Sequence, residues 1–171
     1  MVNHSLVFDK NKVISNDVVG FVHSDYGGDL DRRRSLSRYI FILCSGSISW
    51  KSYLQSIAAL STTEAEYVAA TKSVKEATWF HGLILELGAP QETMVVFSDS
   101  QSTIHLTKND AYHSKTKHST VKYHYIRDTM TKGEIVVKKV QTSENPVDML
   151  TKPLSLAKFK HFLHLSSVYN T

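Results

Sequence analysis

Cysteine is almost missing from this sequence, since Cys44 is the single one among 171 residues. An intramolecular disulfide is therefore impossible, and a reducing intracellular setting is the default expectation. Long apolar runs are missing as well. Met1 to Lys12 holds no apolar run of signal-peptide length, and the longest run, Tyr39 to Cys44, is far too short to span a bilayer. These absences predict a protein of the cytoplasm or nucleus without a membrane partner.

The composition is that of an ordinary soluble domain with a mild basic excess. Hydrophobic residues make up 42% and charged residues 21%, and the length suits a single core without internal repeats. The formal net charge of +4 permits a nucleic-acid partner but does not require one.

The first part of the chain predicts three antiparallel strands. Short apolar runs at Val18–Val22, Tyr39–Cys44 and Ile48–Trp50 have strand length, and turns are expected at Gly27–Asp29 and Ser45–Ser47.

A long helix is predicted next, from Thr63 to Leu87. Its apolar residues recur at spacings of three and four, and Gly88 ends the helix. Ser61, Thr62 and Thr63 are N-cap candidates, and Thr63 with Glu66 fits a capping box.

The remaining elements complete the order βββαβααβα. That alternation favours an α/β fold with a mixed sheet covered by helices. The expected elements are a buried strand Met94–Phe97, helices at Gln101–Thr107 and Val121–Met130, a strand Ile135–Val140, and a final helix capped by Asn145.

Three carboxylates stand at positions where chemistry is often placed. Asp99 follows the buried strand directly, and Glu66 and Asp148 fall in the first turns of two predicted helices. Each also has a purely structural interpretation, because acidic residues cap helices and favour their N-termini.

A series of motifs spread over Val19 to Pro153 resembles the ribonuclease H domain of copia-type LTR retrotransposon polyproteins. The matching segments, in family order, are GFVHSDYGGDLDRRRS, ISWKS, ALSTTEAEYVAA, VKEATW, FSDSQSTIHLTKN, HSKTKH, KYHYIRD and TSENPVDMLTKP. The resemblance implies a five-stranded mixed sheet flanked by helices, and cleavage of RNA in RNA–DNA hybrids. It also implies two Mg²⁺ ions bridged by four carboxylates, since hard cations take oxygen ligands.

Carried over residue by residue, the resemblance makes Glu66, Asp99 and Asp148 metal ligands. The first carboxylate departs from the pattern, because the usual Asp-x-Asp is His23-Ser24-Asp25 here and the essential ligand falls on His23. Asp25 shares a strand face with His23, about 7 Å further along, and could help to hold a metal. Imidazole is a poor ligand for Mg²⁺ but could accept Mn²⁺.

A second departure is Arg38, where the family usually has Gly. Both departures suggest a decayed or repurposed copy with weak or lost activity.

Nucleic-acid contacts are expected from a basic segment, residues 108–127, and from the helix after Asp99. Positive charges there could neutralise phosphates, and hydroxyl and amide groups could bind the backbone. The candidates are Gln101, Ser102, Lys115, Lys117, His118, Lys122 and Arg127.

Two hypotheses remain open at this point. One is a hybrid-specific ribonuclease, impaired by His23, and the other is an inactive domain that binds nucleic acid or protein. The domain is expected at 19–155, after a remnant of the reverse-transcriptase region at 1–18 and before a partly helical tail at 156–171.

Overall fold

The computed structural model describes residues 4–6, 17–108, 120–150 and 153–170. Its strands and helices follow one another as β1 His4–Leu6, β2 Val19–Asp29, β3 Arg34–Leu43, β4 Gly46–Leu54, α1 Thr62–Glu86, β5 Met94–Ser98, α2 Gln101–Lys108, α3 Thr120–Thr131, β6 Ile135–Lys139, α4 Leu156–Leu165 and β7 Val168–Asn170. Two short 3-10 helices, Thr142–Glu144 and Pro146–Leu150, lie between β6 and α4.

Five strands form one mixed sheet in the order β4-β3-β2-β5-β6. The β2–β3 and β3–β4 pairs are antiparallel, whereas β2–β5 and β5–β6 are parallel. The expected α/β class with a five-stranded mixed sheet flanked by helices is therefore confirmed.

The main core lies between the sheet and α1. The apolar face of α1 buries Ala70, Val74 and Ala77 completely against the sheet. Gly20 on β2 is required there, because a Cβ at this position would lie 2.6 Å from the ring of Phe41. A smaller cluster, built on Ile40, Ile42 and Val147, covers the other face of the sheet.

The first two hairpins turn at other places than expected. The turn expected at Gly27–Asp29 is wrong, because β2 continues to Asp29 through a register shift and the chain turns over residues 30–33. The carboxylate of Asp29 accepts hydrogen bonds from the backbone N–H groups of Asp31 and Arg32 and so stabilises that turn. The second hairpin turns at Cys44 and Ser45, which both have positive φ.

The long helix is confirmed, and its cap is one of the three candidates, although not the one that would form a capping box with Glu66. Ser61 is the N-cap and accepts a hydrogen bond from the backbone N–H of Glu64, and the Glu64 carboxylate accepts one from Leu60 N–H. Glu66 therefore takes no part in these capping hydrogen bonds.

The final helix expected at Asn145 is replaced by the second 3-10 helix, and α4 begins only after its own cap, Ser155. Asn145 still accepts a hydrogen bond from Val147 N–H, but its amide nitrogen donates to the Val22 carbonyl and so ties the segment to β2.

The segments outside the expected domain bounds pair with each other, since β1 and β7 form a two-stranded antiparallel sheet. Within the described part of the chain, no helix is both long and apolar enough to cross a membrane.

Candidate active site

The carboxyl ends of β2 and β5 bring the expected site residues together. The two strands are parallel, with Val22 opposite Ser98, so that the next residues, His23 and Asp99, become neighbours. Glu66 reaches the same place from the start of α1, and Asp148 reaches it from the second 3-10 helix.

The imidazole ring of His23 lies between three carboxylates. Its Nδ1 is 3.1 Å from Glu66 Oε1 and 3.2 Å from Asp99 Oδ1, while its Nε2 is 3.7 Å from Asp148 Oδ1. Both Nδ1 distances are those of hydrogen bonds from an N–H group to carboxylate oxygens. The geometry is therefore that of an ion pair of one ring with several acids.

The surroundings of His23 favour its charged form. Burial by itself lowers the pKa, but hydrogen bonds and electrostatic attraction from Asp99 and Glu66 outweigh it and raise the pKa of His23 to about 9. Burial by itself raises the pKa of Asp99. The hydrogen bond and the charge of His23 outweigh it and bring the pKa of that carboxyl below its ordinary value. At neutral pH the ring is therefore an imidazolium.

Asp99 is held from two further sides. The Thr142 hydroxyl donates to Asp99 Oδ2 at 3.3 Å, and the Lys139 ammonium donates to the Asp99 backbone carbonyl. The carboxylate therefore has a fixed orientation towards His23.

Two buried amides position the elements that carry Glu66 and Asp148. The Gln55 amide nitrogen lies 2.7 Å from Ser37 Oγ and 2.8 Å from the Ala65 carbonyl, next to Glu66. Asn145 anchors the second 3-10 helix to β2 through its bond with Val22. Gln55 could not be expected from the sequence, because a single Gln in a loop carries no recognisable signal.

Asp25 lies on the same strand as His23, but its carboxylate is directed to a different partner. Its Oδ2 is 3.5 Å from Nη2 of Arg38, and the Asp25 side chain is 44% exposed. Among the described residues, the group suited to hold a metal consists of His23, Glu66 and Asp99, and Asp25 is not in it. The role of Asp25 as a ligand stays a prediction.

The expected nucleic-acid contacts are only partly described. Gln101 and Ser102 are exposed in the first turn of α2, beside Asp99, and Arg127 is half-buried in α3. Lys122 belongs to α3, but its side chain is outside the description, and Lys115, Lys117 and His118 lie outside the described residues. A shared basic surface therefore stays a prediction.

Solved structures with the same architecture are ribonucleases H. The chain matches RNase H1 from the halophilic archaeon Halobacterium salinarum NRC-1 with a TM-score of 0.56 and 14% identity, over 77% of this chain and 90% of that one. It matches LC11-RNase H1, solved in complex with an RNA/DNA hybrid, with a TM-score of 0.56 and 13% identity, over 75% of this chain and 88% of that one. The fold is that of a ribonuclease H-like domain.

Curated sequences define the relationship further, although no protein-family model matches the chain. It is 48% identical over 141 residues, 82% of its length, to the retrovirus-related Pol polyprotein from transposon TNT 1-94 of Nicotiana tabacum. It is 34% identical over 161 residues, 94% of its length, to that from transposon RE1 of Arabidopsis thaliana. The chain belongs to the ribonuclease H-like domains of copia-type transposon Pol polyproteins. It spans 11% of the length of each of these relatives.

The donor set does not fit the two Mg²⁺ ions that the resemblance implies. Clustered carboxylates suit a divalent cation, and Glu66 Oε2 is buried without a hydrogen-bond partner in the described part of the chain. However, an imidazolium has no free lone pair for a metal, and the His23 ring fills the space between the carboxylates. In this chain the His23 imidazolium lies between Glu66, Asp99 and Asp148, where the metal ions would have to bind.

Proposed function

We propose that this domain binds RNA–DNA hybrids and hydrolyses their RNA strand very weakly or not at all in Mg²⁺. The hybrid as ligand is supported by the family and by the LC11-RNase H1 complex, which shares the fold. The loss of hydrolysis rests on one observation, the His23 ring within hydrogen-bond distance of Glu66 and Asp99.

The physical argument concerns charge and lone pairs. Four carboxylates, with an Asp at position 23, would offset the charge of two divalent ions held close together. His23 replaces one negative charge with a positive one, and its Nδ1–H is shared between Glu66 and Asp99, which would otherwise be open acceptors. The residues therefore hold a proton where a metal would have to bind.

The test is a paired cleavage assay on a labelled hybrid in Mg²⁺ at neutral pH. The given chain is expected to cut at the background rate of the Asp99→Asn variant, and His23→Asp is expected to raise the rate. His164→Asp, the same substitution at an exposed position of α4, is the matched control and should change nothing.

One outcome would overturn the proposal. If the given chain cuts at a rate that Asp99→Asn abolishes and that His23→Asp leaves unchanged, then His23 is no obstacle and Asp25 is the true ligand.

The second candidate function is a residual hydrolase that depends on Mn²⁺. It is favoured by the ligand atoms of His23, Glu66 and Asp99, which all lie within 4.8 Å of one another. A neutral imidazole accepts Mn²⁺ more readily than Mg²⁺. This activity should increase with pH in Mn²⁺, because only the neutral ring offers a lone pair to the metal, and Mg²⁺ should not replace Mn²⁺. Equal rates in both metals would exclude it.

A further inference from the structure

A second cation is buried beside the acidic cluster. Arg38 on β3 is fully buried and is the direct cross-strand partner of His23 on β2. Directly paired residues of antiparallel strands project from the same face of a sheet. Arg38 also shares that face with Ile40 and Ile42, which lie under Val147 of the second 3-10 helix.

The guanidinium of Arg38 has few partners for a buried charge. Among the described residues, its Nε, Nη1 and Nη2 atoms have no hydrogen-bond partner, and the nearest acid is Asp25, whose Oδ2 lies 3.5 Å from Nη2. The carboxylates of Asp148 and Glu66 are near enough to attract its charge. A buried charge needs such compensation, so the positive charge of Arg38 depends first on Asp25 and then on Asp148 and Glu66, two of the acids that surround His23.

We infer that Arg38 is a second built-in cation of the acidic cluster, and that it opposes the binding of divalent cations there independently of His23. The inference deepens the proposed function and rests on its account of His23. Restoring an Asp at position 23 alone then recovers only part of the affinity for divalent cations, because the new carboxylate would face Arg38 across the two strands and pair with it.

The size of the effect follows from proximity. A unit positive charge that is held in a dry interior a few ångström from a site repels a divalent ion strongly. Removing the charge of Arg38 in the His23→Asp background should therefore tighten the binding of a divalent ion by at least about tenfold.

The experiment measures Mn²⁺ binding directly, by calorimetry or by the paramagnetic signal of free Mn²⁺, without nucleic acid. The chains compared are the given one, His23→Asp, Arg38→Met, His23→Asp/Arg38→Met and His23→Asp/Arg38→Lys. Methionine keeps most of the volume without the charge, whereas lysine keeps the charge. We expect the Met double variant to bind at least tenfold more tightly than His23→Asp, and the Lys double variant to bind like His23→Asp.

A matched control tests whether the position of the removed charge matters, and a second neutral variant is available if the first does not fold. Arg32→Met in the His23→Asp background removes an exposed arginine of the hairpin turn and should not tighten binding. If circular dichroism shows that the Met double variant is unfolded, His23→Asp/Arg38→Gln takes its place with the same expectation.

Equal Mn²⁺ affinity of His23→Asp and of the neutral double variant would overturn the inference, as would equal gains from Met and Lys. Both results leave the proposed function standing, because that proposal fails only in the cleavage assay of the given chain.

Discussion

His23 is a residue whose surroundings determine its charge. The groups that face it come from every neighbouring element, namely Glu66 from α1, Asp99 from the end of β5, Asp148 from the second 3-10 helix and Arg38 from β3. The acids outnumber the cations, so the ring keeps its proton far above the ordinary pKa of histidine. The same cluster therefore links folding to pH.

The first prediction is a loss of stability at alkaline pH. Folding raises the pKa of His23 from 6.5 to about 9, so the folded chain binds this proton more tightly than the unfolded chain. The stabilisation is complete below pH 6.5 and disappears as the pH rises through 9. The free energy of unfolding should fall by up to about 3 kcal/mol over this window, measured by urea denaturation at several pH values.

The control for this prediction is His23→Asn, which cannot titrate. The difference in stability between the two chains should shrink from pH 6.5 to pH 9. A constant difference would show that His23 carries no shifted proton.

At the residue scale, the sequence identified the members of the site but not their contacts. His23, Glu66, Asp99 and Asp148 were all expected, because motif positions fix which strand or helix carries each residue. That the His23 ring would donate to the acids, or that Arg38 would be buried beside them, depends on strand register. Register between distant strands follows from packing, which a single sequence does not display.

At the scale of elements, α1 connects the core to the site. Its buried face packs on the sheet, and its first turns deliver Glu66. The periodic spacing of apolar residues made this helix predictable almost to its ends. The capping pair was harder to predict, because several Ser and Thr residues precede the helix and geometry alone selects Ser61.

The second prediction concerns this helix. Ala70 is fully buried, so Ala70→Asp places a charge in the core and should cost several kcal/mol, enough to unfold a marginal domain. The melting temperature is the measurement. Ala157→Asp, the same substitution at an exposed position of α4, should leave it nearly unchanged. Similar small effects for both variants would show that the face of α1 is not buried.

The second 3-10 helix is the element for which the prediction from the sequence was wrong. Asn145 followed by Pro146 is a typical start of an α-helix. In the structure the side chain of Asn145 donates a hydrogen bond to the Val22 carbonyl, and the 3-10 helix Pro146–Leu150 follows it in place of an α-helix. A long-range hydrogen bond of this kind overrides local preference.

The third prediction tests that hydrogen bond. Asn145→Ala leaves the buried Val22 carbonyl without this partner and should destabilise the domain by about 1–3 kcal/mol. Gln141→Ala, an exposed amide just before the first 3-10 helix, is the matched control and should have little effect. Chemical denaturation of the two variants gives the comparison. A loss of stability no greater than that of the control would contradict a structural role for Asn145.

At the scale of the whole molecule, the charge balance favours an anionic partner. The net charge is +4, and lysines and an arginine are concentrated between residues 108 and 127. Electrostatic binding of this kind releases counterions from nucleic acid, so that salt weakens it.

The fourth prediction is a steep salt dependence of hybrid binding. If about four phosphates are contacted, the dissociation constant should rise by about 100-fold between 50 and 200 mM salt. Fluorescence anisotropy of a labelled hybrid gives the values.

The control compares two equal changes of charge. Lys115→Gln/Lys117→Gln should weaken binding and flatten the salt slope, whereas Lys51→Gln/Lys72→Gln, on β4 and α1, should not. The absence of binding at low salt would remove nucleic acid as the partner.

The order of the strands in the sheet also bears on how the domain folds. The β2–β3–β4 meander needs only short loops and can form early, whereas β5 joins β2 over a much longer stretch of chain. His23 and Asp99 are 76 residues apart, and Val22 and Asn145 are 123 apart, so long loops must close before Asp99 and Asp148 reach the site. The meander already carries His23 and Arg38. Asp99 and Asp148 thus approach His23 and Arg38, two cations that the meander already carries. The repulsion between the carboxylates is then offset by these cations and need not slow the last steps of folding.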